Sequence, residues 1–344
     1  MAQLINKTSG KSTIKLSVID GAKAYRELRQ QVVDAGILKR DYSFYVRMAF
    51  LAFGGFLLSA YFLYQATTIQ YTILWSVILA FFGVQIGGFM HDCGHSAIFK
   101  STKFNDLVGY VACGLLAMRY KNWKAKHNLH HAHPNQEGDT DIEIPFAFTD
   151  ERYKNAKGIR GFMRRYQAYL YYPLGALLAF SMRSTGIRDY RKHYANDSKW
   201  EMLLFGIGLF TWFILPFFVF GLSKAIILII ATNVTIGLYM MNIFAPNHKG
   251  MPELAKGVKV SFLEHQTMTA RNIHGNWLTD FLYMGLNYQI EHHLFPNCPR
   301  NKLKFIKPYV VALCRRQKLS YTSVSVIDTN RFILSELHQV ARKS

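Results

Sequence analysis

The decisive stretch runs Ile69-Gln-Tyr-Thr-Ile-Leu-Trp-Ser-Val-Ile-Leu-Ala-Phe-Phe-Gly-Val-Gln-Ile-Gly-Gly-Phe-Met90, and His91-Asp-Cys-Gly-His95 follows at once. Its first part has no charge over the length at which a helix crosses a hydrocarbon core of about 30 Å. Its second part sets two imidazoles four residues apart, on one face of a helix. A membrane-crossing helix with a candidate metal-binding pair at its end is therefore written into one continuous segment. Three more runs match the first: 46–66, with only Arg47 at its edge, then 202–220 and 225–245. Together they predict an all-α integral membrane protein with four transmembrane helices in two hairpins. A helical cytoplasmic cap would hold a histidine-rich dimetal site.

Charge decides the orientation. The 344 residues carry 41 Lys+Arg against 21 Asp+Glu, a formal charge of +20. Such a balance first suggests nucleic acid. The four spans dispose of that reading, because Lys224 is the one basic residue in the two short loops, 65–70 and 221–224. The other 40 of 41 then lie on one side, which the positive-inside rule makes cytoplasmic. There they meet anionic lipid. No zinc-finger, basic-heptad or RNP-type motif supports a nucleic-acid partner. A multi-pass protein with both termini in the cytoplasm is expected. Residues 1–45 form a basic cytoplasmic arm without a signal-peptide core, and 46–344 form one domain. Four cysteines with no CxxC pair fit a reduced compartment. Segments 104–118 and 169–180 are apolar but too short to span, so they are expected at the interface.

Seven of the 13 histidines fall in three clusters. The first is His91 with His95. The second is His127-Asn-Leu-His130-His131, and the third is Gln289-Ile-Glu-His292-His293, with Gln in the leading place. Imidazole suits Zn, Cu, Fe and Ni. A structural zinc takes four protein ligands and a catalytic zinc three, so seven histidines imply two metals. HExxH and Glu-x-x-His patterns are absent from the sequence, which excludes a zincin protease and a carboxylate-rich di-iron bundle. A histidine-rich two-metal site beneath a membrane points to iron and O2 chemistry on an apolar substrate.

These three clusters, the last within Asn287-Tyr-Gln-Ile-Glu-His-His-Leu-Phe-Pro296, closely resemble the histidine boxes of the membrane fatty acid desaturases. The Gln-led third box resembles the front-end group, which acts between an existing double bond and the carboxyl end. Neighbouring words match too: HHAHPN from His130, DTDIEIPFAFT from Asp139, and NHKGMP from Asn247. The likeness covers roughly 45–325. It implies a four-span desaturase domain, two Fe ions, O2 as co-substrate and insertion of a double bond into a fatty acyl chain borne by CoA, carrier protein or lipid. Breaking unactivated C–H bonds needs an oxidant beyond any side chain. The HPGG word of a fused cytochrome b5 domain is absent, so a separate donor of cytochrome b5 or ferredoxin type is expected to supply electrons.

Other residues take roles from their positions. Metal-bound imidazoles usually donate their second N–H to an oxygen, which makes Asp92, Asp139, Asp141 and Glu291 candidates. An eighth histidine ligand is expected at His248, directly after the fourth span, in preference to His274 in a turn-like stretch; Asn247 would support it. Gln289 is expected to bind metal directly or through water. His133 precedes Pro134 and is expected to bind no metal; His193, His265 and His338 are expected at the surface. Cys93 reads as a small buried hydrophobe. Trp123 is a candidate for the substrate entrance. Arg119, Lys121, Lys124 and Lys126 either meet a phosphate headgroup or CoA, or simply follow the positive-inside bias. Two rival functions share these features. A di-iron membrane hydroxylase would leave a hydroxyl in place of a double bond. A metal-ion transporter needs ionisable groups along its path, and the four spans contain no acid and no histidine.

Overall fold

The computed structural model describes residues 14–139, 156–188 and 199–342. Helix α1 (Val18–Asp34) starts at Ser17, whose hydroxyl accepts from the Asp20 N–H. Helices α2 (Tyr42–Gln65) and α3 (Ile69–Gly94) are capped in the same way by Asp41 and Thr68. Only residues 66–68 separate them, so they run antiparallel and pack along their length. The helix starts four residues before the predicted 46, because the Asp41 cap and not hydropathy sets its end. Helix α3 likewise outruns the predicted 90 and carries His91 within its last turn.

Two shorter helices follow, α4 (Thr102–Leu115) and α5 (Tyr120–Ala132). Helix α4 buries Asn105, Gly109 and Ala112 while exposing Phe104, Leu107 and Val111, an outward apolar face suited to lipid. The expected single helix over 169–180 is corrected: α6 (Gly158–Gly175) ends there and α7 (Leu178–Arg188) begins. Pro173 removes one ladder donor just before the break.

Helices α8 (Lys199–Phe213) and α9 (Leu215–His248) form a largely apolar stretch of 50 residues. At 1.5 Å per residue it measures about 75 Å, more than twice a hydrocarbon core. Its helical path breaks at Gly221, whose φ of +73° is open to glycine and strained for other residues. That glycine falls in the predicted turn 221–224. Among the described residues, three stretches are long and apolar enough to cross a membrane: Tyr42–Gln65, Ile69–Gly94 and this one. Their outer faces expose Phe50, Leu57, Ile73, Leu203, Phe218 and Ile230, as a lipid-facing surface would.

The remaining chain folds against the histidine-bearing ends of these helices. It comprises α10 (Phe262–Thr269), α11 (Trp277–Leu282), α12 (Gln289–Leu294), α13 (Leu303–Gln317) and α14 (Val326–Arg342). Two parallel strands of two residues each, β1 (Asn272–Ile273) and β2 (Ser323–Val324), are a small departure from the all-α expectation. Leu263, Ile290, Leu294, Ile306 and Val310 join with Leu28 and Val32 of α1 in a core behind α12. That core holds the third histidine cluster against the other two.

Candidate metal centre

Eight histidines converge from four elements. One nitrogen from each of His91, His95, His127, His131 and His292 lies within 4.8 Å of the others; His130, His248 and His293 form a second such group. Helix periodicity explains the division. His127 and His131 are four apart and share a face of α5, whereas His130 points about 100° away from its neighbour. Adjacent His292 and His293 on α12 are split between the groups by the same angle. The two groups adjoin: the His131 and His293 rings stack with centroids 4.3 Å apart.

The donor set fits a pair of imidazole-ligated ions. Nε2 of His91 and Nε2 of His95 are buried with no hydrogen-bond partner. His131 Nε2 faces His292 Nε2 at 3.1 Å. Buried polar atoms left unmatched are costly, and cations shared by converging lone pairs would satisfy them. Burial holds His95, His131, His292 and His293 well below the ordinary imidazole range, and their neighbours push the same way. The rings are therefore neutral at pH 7, the state that ligates metal.

In four of the eight histidines the opposite ring nitrogen is held by an oxygen. His91 Nδ1 meets Asp92 Oδ1 at 3.2 Å, and His130 Nδ1 meets Asp139 Oδ2 at 2.7 Å. His248 Nδ1 meets the Thr269 carbonyl at 3.2 Å, and His293 Nδ1 meets Gln266 Oε1 at 2.7 Å. A proton on each Nδ1 leaves the Nε2 lone pair facing its group. Asp92 is itself secured: Tyr45 donates to its Oδ2 at 2.8 Å, and Arg300 Nε lies 3.4 Å from that oxygen. The Arg300 guanidinium rests against the faces of Phe44, Tyr45 and Phe89, its centre 5.3–5.9 Å from their centroids.

Of the residues singled out in the sequence, the nine candidate ligands come together, with Gln289 Nε2 3.0 Å from Nε2 of both His248 and His293. Asn247 donates from Nδ2 to Gln289 Oε1 at 2.9 Å. His274 is exposed beyond β1 and belongs to neither group, whereas His248 is buried. Glu291 touches no histidine. It lies some 200° around α12 from Gln289 and accepts from Asn272 and Tyr321, tying the helix to the strand pair. Asp141 and His193 lie outside the described residues. His133 is exposed and His338 half-buried, but the surface expectation for His265 is corrected. His265 is buried, and its Nε2 meets the Pro134 carbonyl at 2.8 Å, fixing the end of the second box. Gln266, Thr269, Tyr45 and Arg300 went unnoticed in the sequence. None has a spacing signal; the nearest hint is that polar α10 must bury all but its first residue.

A cavity of about 910 Å³ reaches both groups. His91, His127, His130, His248 and Gln289 line one part of it, and Met90, Leu116, Ile236, Met240 and Phe244 form an apolar wall. Trp123 stacks on His127 at 4.8 Å and lines the same space. A large apolar cavity with a few converging polar groups is the usual form of a small-molecule site.

The sequence matches the family model for fatty acid desaturases over residues 67–325. It is 30% identical over 338 residues to an acyl-lipid (9-3)-desaturase of Physcomitrium patens, covering 93% of this chain and 63% of that protein. It is 28% identical to a Delta(8)-fatty-acid desaturase of Euglena gracilis, over 89% of this chain and 75% of that one. With a Delta(5) fatty acid desaturase of Caenorhabditis elegans it shares 27% identity, over 87% and 69%. With two histidine groups, an apolar cavity and this match over three quarters of its length, the chain belongs to the fatty acid desaturase family, a family of oxidoreductases.

Proposed function

We propose that this protein inserts a double bond into a fatty acyl chain, with O2 as co-substrate and electrons from a donor of cytochrome b5 or ferredoxin type. The observation that carries this reading is the opening of both histidine groups onto one apolar cavity. His91, His95, His127, His131 and His292 would hold one iron; His130, His248 and His293 would hold the other, with Gln289 beside it. When bound, the iron pair supplies the oxidising chemistry that side chains lack. Each turnover removes two hydrogens from adjacent methylenes. With two electrons and two protons from the donor side, O2 leaves as two waters.

The protein's own contribution is positional. The apolar wall keeps the chain extended and dry, and Trp123 borders the entrance. Asp92, Asp139 and the Asn247 amide hold the histidine and glutamine side chains in the orientations described above. Relatives named for Delta(5), Delta(6) and Delta(8) positions support a front-end regiochemistry. The 50-residue stretch crosses the membrane twice, turning at Gly221, and both termini face the cytoplasm.

Expression in a host with a simple lipid profile, with products located by mass spectrometry, tests the reaction. A new double bond with the wild-type chain and none with His131→Ala is expected. A hydroxylated product would overturn the desaturase assignment in favour of hydroxylation.

A further inference from the structure

Three aromatic side chains lead from the first histidine group to α4. Trp123 stacks on His127 with centroids 4.8 Å apart and lies 6.0 Å from His91. Tyr120, about one turn earlier on α5, stacks on Trp123 at 6.4 Å, and Tyr110 of α4 meets Tyr120 edge-on at 5.0 Å. These are the spacings of rings in contact. Tyr120 is 1% exposed and Tyr110 half-buried, so the file of rings leads outward. A Cβ at Gly94 would stand 2.7 Å from Trp123 Cζ3, and one at Gly109 would stand 2.4 Å from Tyr120 Cε2 and Cζ. Helices α3 and α4 thus carry glycine where the rings lie against them.

Tyr120 differs from a ring that only fills space. Its hydroxyl donates to Asp106 Oδ1 at 3.0 Å, and Lys124 Nζ lies 2.7 Å from the same oxygen. A phenylalanine would fill the same volume without either partner. Burial and the Asp106 charge hold the phenol far above its ordinary pKa, so it keeps its proton until an electron leaves. Loss of that electron makes the ring strongly acidic, and the carboxylate stands within hydrogen-bond reach of the proton. The direction of flow follows from potential. Electrons from a biological donor are too weakly reducing to enter an aromatic ring, so the file is no inlet for them. An oxidant able to break an unactivated C–H bond can draw an electron out of tryptophan or tyrosine. Such an oxidising equivalent has no partner whenever the acyl cavity is empty.

We propose that Tyr120, with Asp106 as its proton acceptor and Trp123 as its link to His127, discharges the oxidising equivalent left at the metal centre when no acyl chain is there to receive it. The inference rests on the desaturase reading, which supplies the oxidant. One electron passes from Tyr120 through Trp123 to the centre, which is thereby reduced by one equivalent. The phenolic O–H bond breaks, its proton moves to Asp106, and a neutral tyrosyl radical remains. A thiolate outside the protein returns the electron by way of Tyr110, and Asp106 returns the proton. Two thiyl radicals from two such events join as a disulfide. The imidazoles beside the centre are spared the oxidation that would otherwise fall on them.

Freeze-quench electron paramagnetic resonance on the iron-loaded protein tests this. The protein is reduced with a limited amount of dithionite and then mixed with O2 in the absence of any acyl substrate. A tyrosyl signal is expected, narrowed when the chain is grown on ring-deuterated tyrosine and removed by added dithiothreitol. Tyr120→Phe and Asp106→Asn should each lose the signal while still carrying iron. Peptide mass spectrometry should find more oxidised Trp123 and His127 in both variants than in the wild type. Absence of a tyrosyl signal in the wild type overturns the proposal, as does a signal of undiminished size in Tyr120→Phe. The wild type and Asp106→Asn decide if the phenylalanine variant fails to fold. A wild type that forms the double bond and shows no radical would overturn this inference and leave the desaturase reading standing. A hydroxylated product beside a radical lost in Tyr120→Phe would do the reverse.

Discussion

Replacing Asp139 should empty one metal position and spare the other. The Asp139 Oδ2 atom takes two hydrogen bonds, from His130 Nδ1 at 2.7 Å and from the Asn135 N–H at 3.0 Å. In Asp139→Asn the amide oxygen can occupy the same place and keep both donors, but it is neutral. Hydrogen bonds to a charged oxygen are roughly twice as strong as neutral ones, so about 1 kcal/mol is lost from the orientation of His130. Asp139→Ala removes the acceptor altogether and leaves two buried donors unmatched. Loss of such supporting groups typically costs 10–100-fold in metal affinity, or about 1.4–2.8 kcal/mol. The asparagine variant should fall near the lower figure and the alanine variant near the upper. His130 belongs to the group with His248 and His293, so only that group should weaken. Titrating metal-free protein with Co(II), while counting bound ions and following the visible bands, resolves the two positions. Two ions bound at wild-type affinity in both variants would refute the role of Asp139.

Two further outcomes follow from packing and from charge. A Cβ at Gly88 would stand 2.2 Å from Arg300 Nη1 and 2.5 Å from Met284 Sδ. Gly88→Ala should therefore destabilise the protein by about 1–3 kcal/mol, seen as a lower Tm, and displace Arg300 from Asp92. Burial lowers the pKa of four site histidines below the ordinary imidazole value of about 6.5, so the unfolded chain binds protons that the native metal-free protein refuses. Stability of the metal-free protein should be full above about pH 6.5 and fall as the pH drops through that value, read as Tm against pH. An unchanged Tm between pH 7 and pH 5 would contradict the burial of neutral imidazoles.

The histidine groups were legible because each depends on local helix geometry. Spacings of three and four residues place side chains on shared faces, and an uncharged run of about 20 residues marks a membrane-length helix to within about four residues of its ends. His248 could be singled out for the same reason, as it stands where a span finishes. What holds the groups together was not legible. Arg300 reaches Asp92 across 208 positions of sequence, and Gln266 reaches His293 from a separate helix. No periodicity links such pairs. His265 was misplaced because an isolated histidine carries no sign of the carbonyl that will accept its proton. The division of 169–180 between two helices depends on Pro173, whose effect in a helix varies with the packing around it.

The Gln289 amide can be oriented by argument from its neighbours. Asn247 Nδ2 lies 3.1 Å from the Ile243 carbonyl and 3.0 Å from the Leu286 carbonyl, so it must be the nitrogen of that amide. Its two N–H groups are shared among three acceptors, the third being Gln289 Oε1 at 2.9 Å; a facing nitrogen would set two amide donors against each other, so the oxygen of Gln289 faces Asn247. The Gln289 Nε2 group is left pointing between His248 and His293. An amide nitrogen has its lone pair delocalised into the carbonyl and makes a poor metal ligand, but it is a good donor. Of the two ways in which Gln289 was expected to serve, contact through water fits this geometry better: its N–H groups would hold an oxygen beside the ion, where an imidazole at the same position would occupy the ion itself. With three histidines and no fourth protein nitrogen, the second group would leave room for a small oxygen ligand on an ion that it held, as catalytic metal sites do. His130, His248 and Gln289 all line the cavity, so a ligand entering from it would meet this group. On this reading the leading glutamine of the third box would serve by holding an oxygen beside the ion, and Asn247 by the direction in which it turns that glutamine.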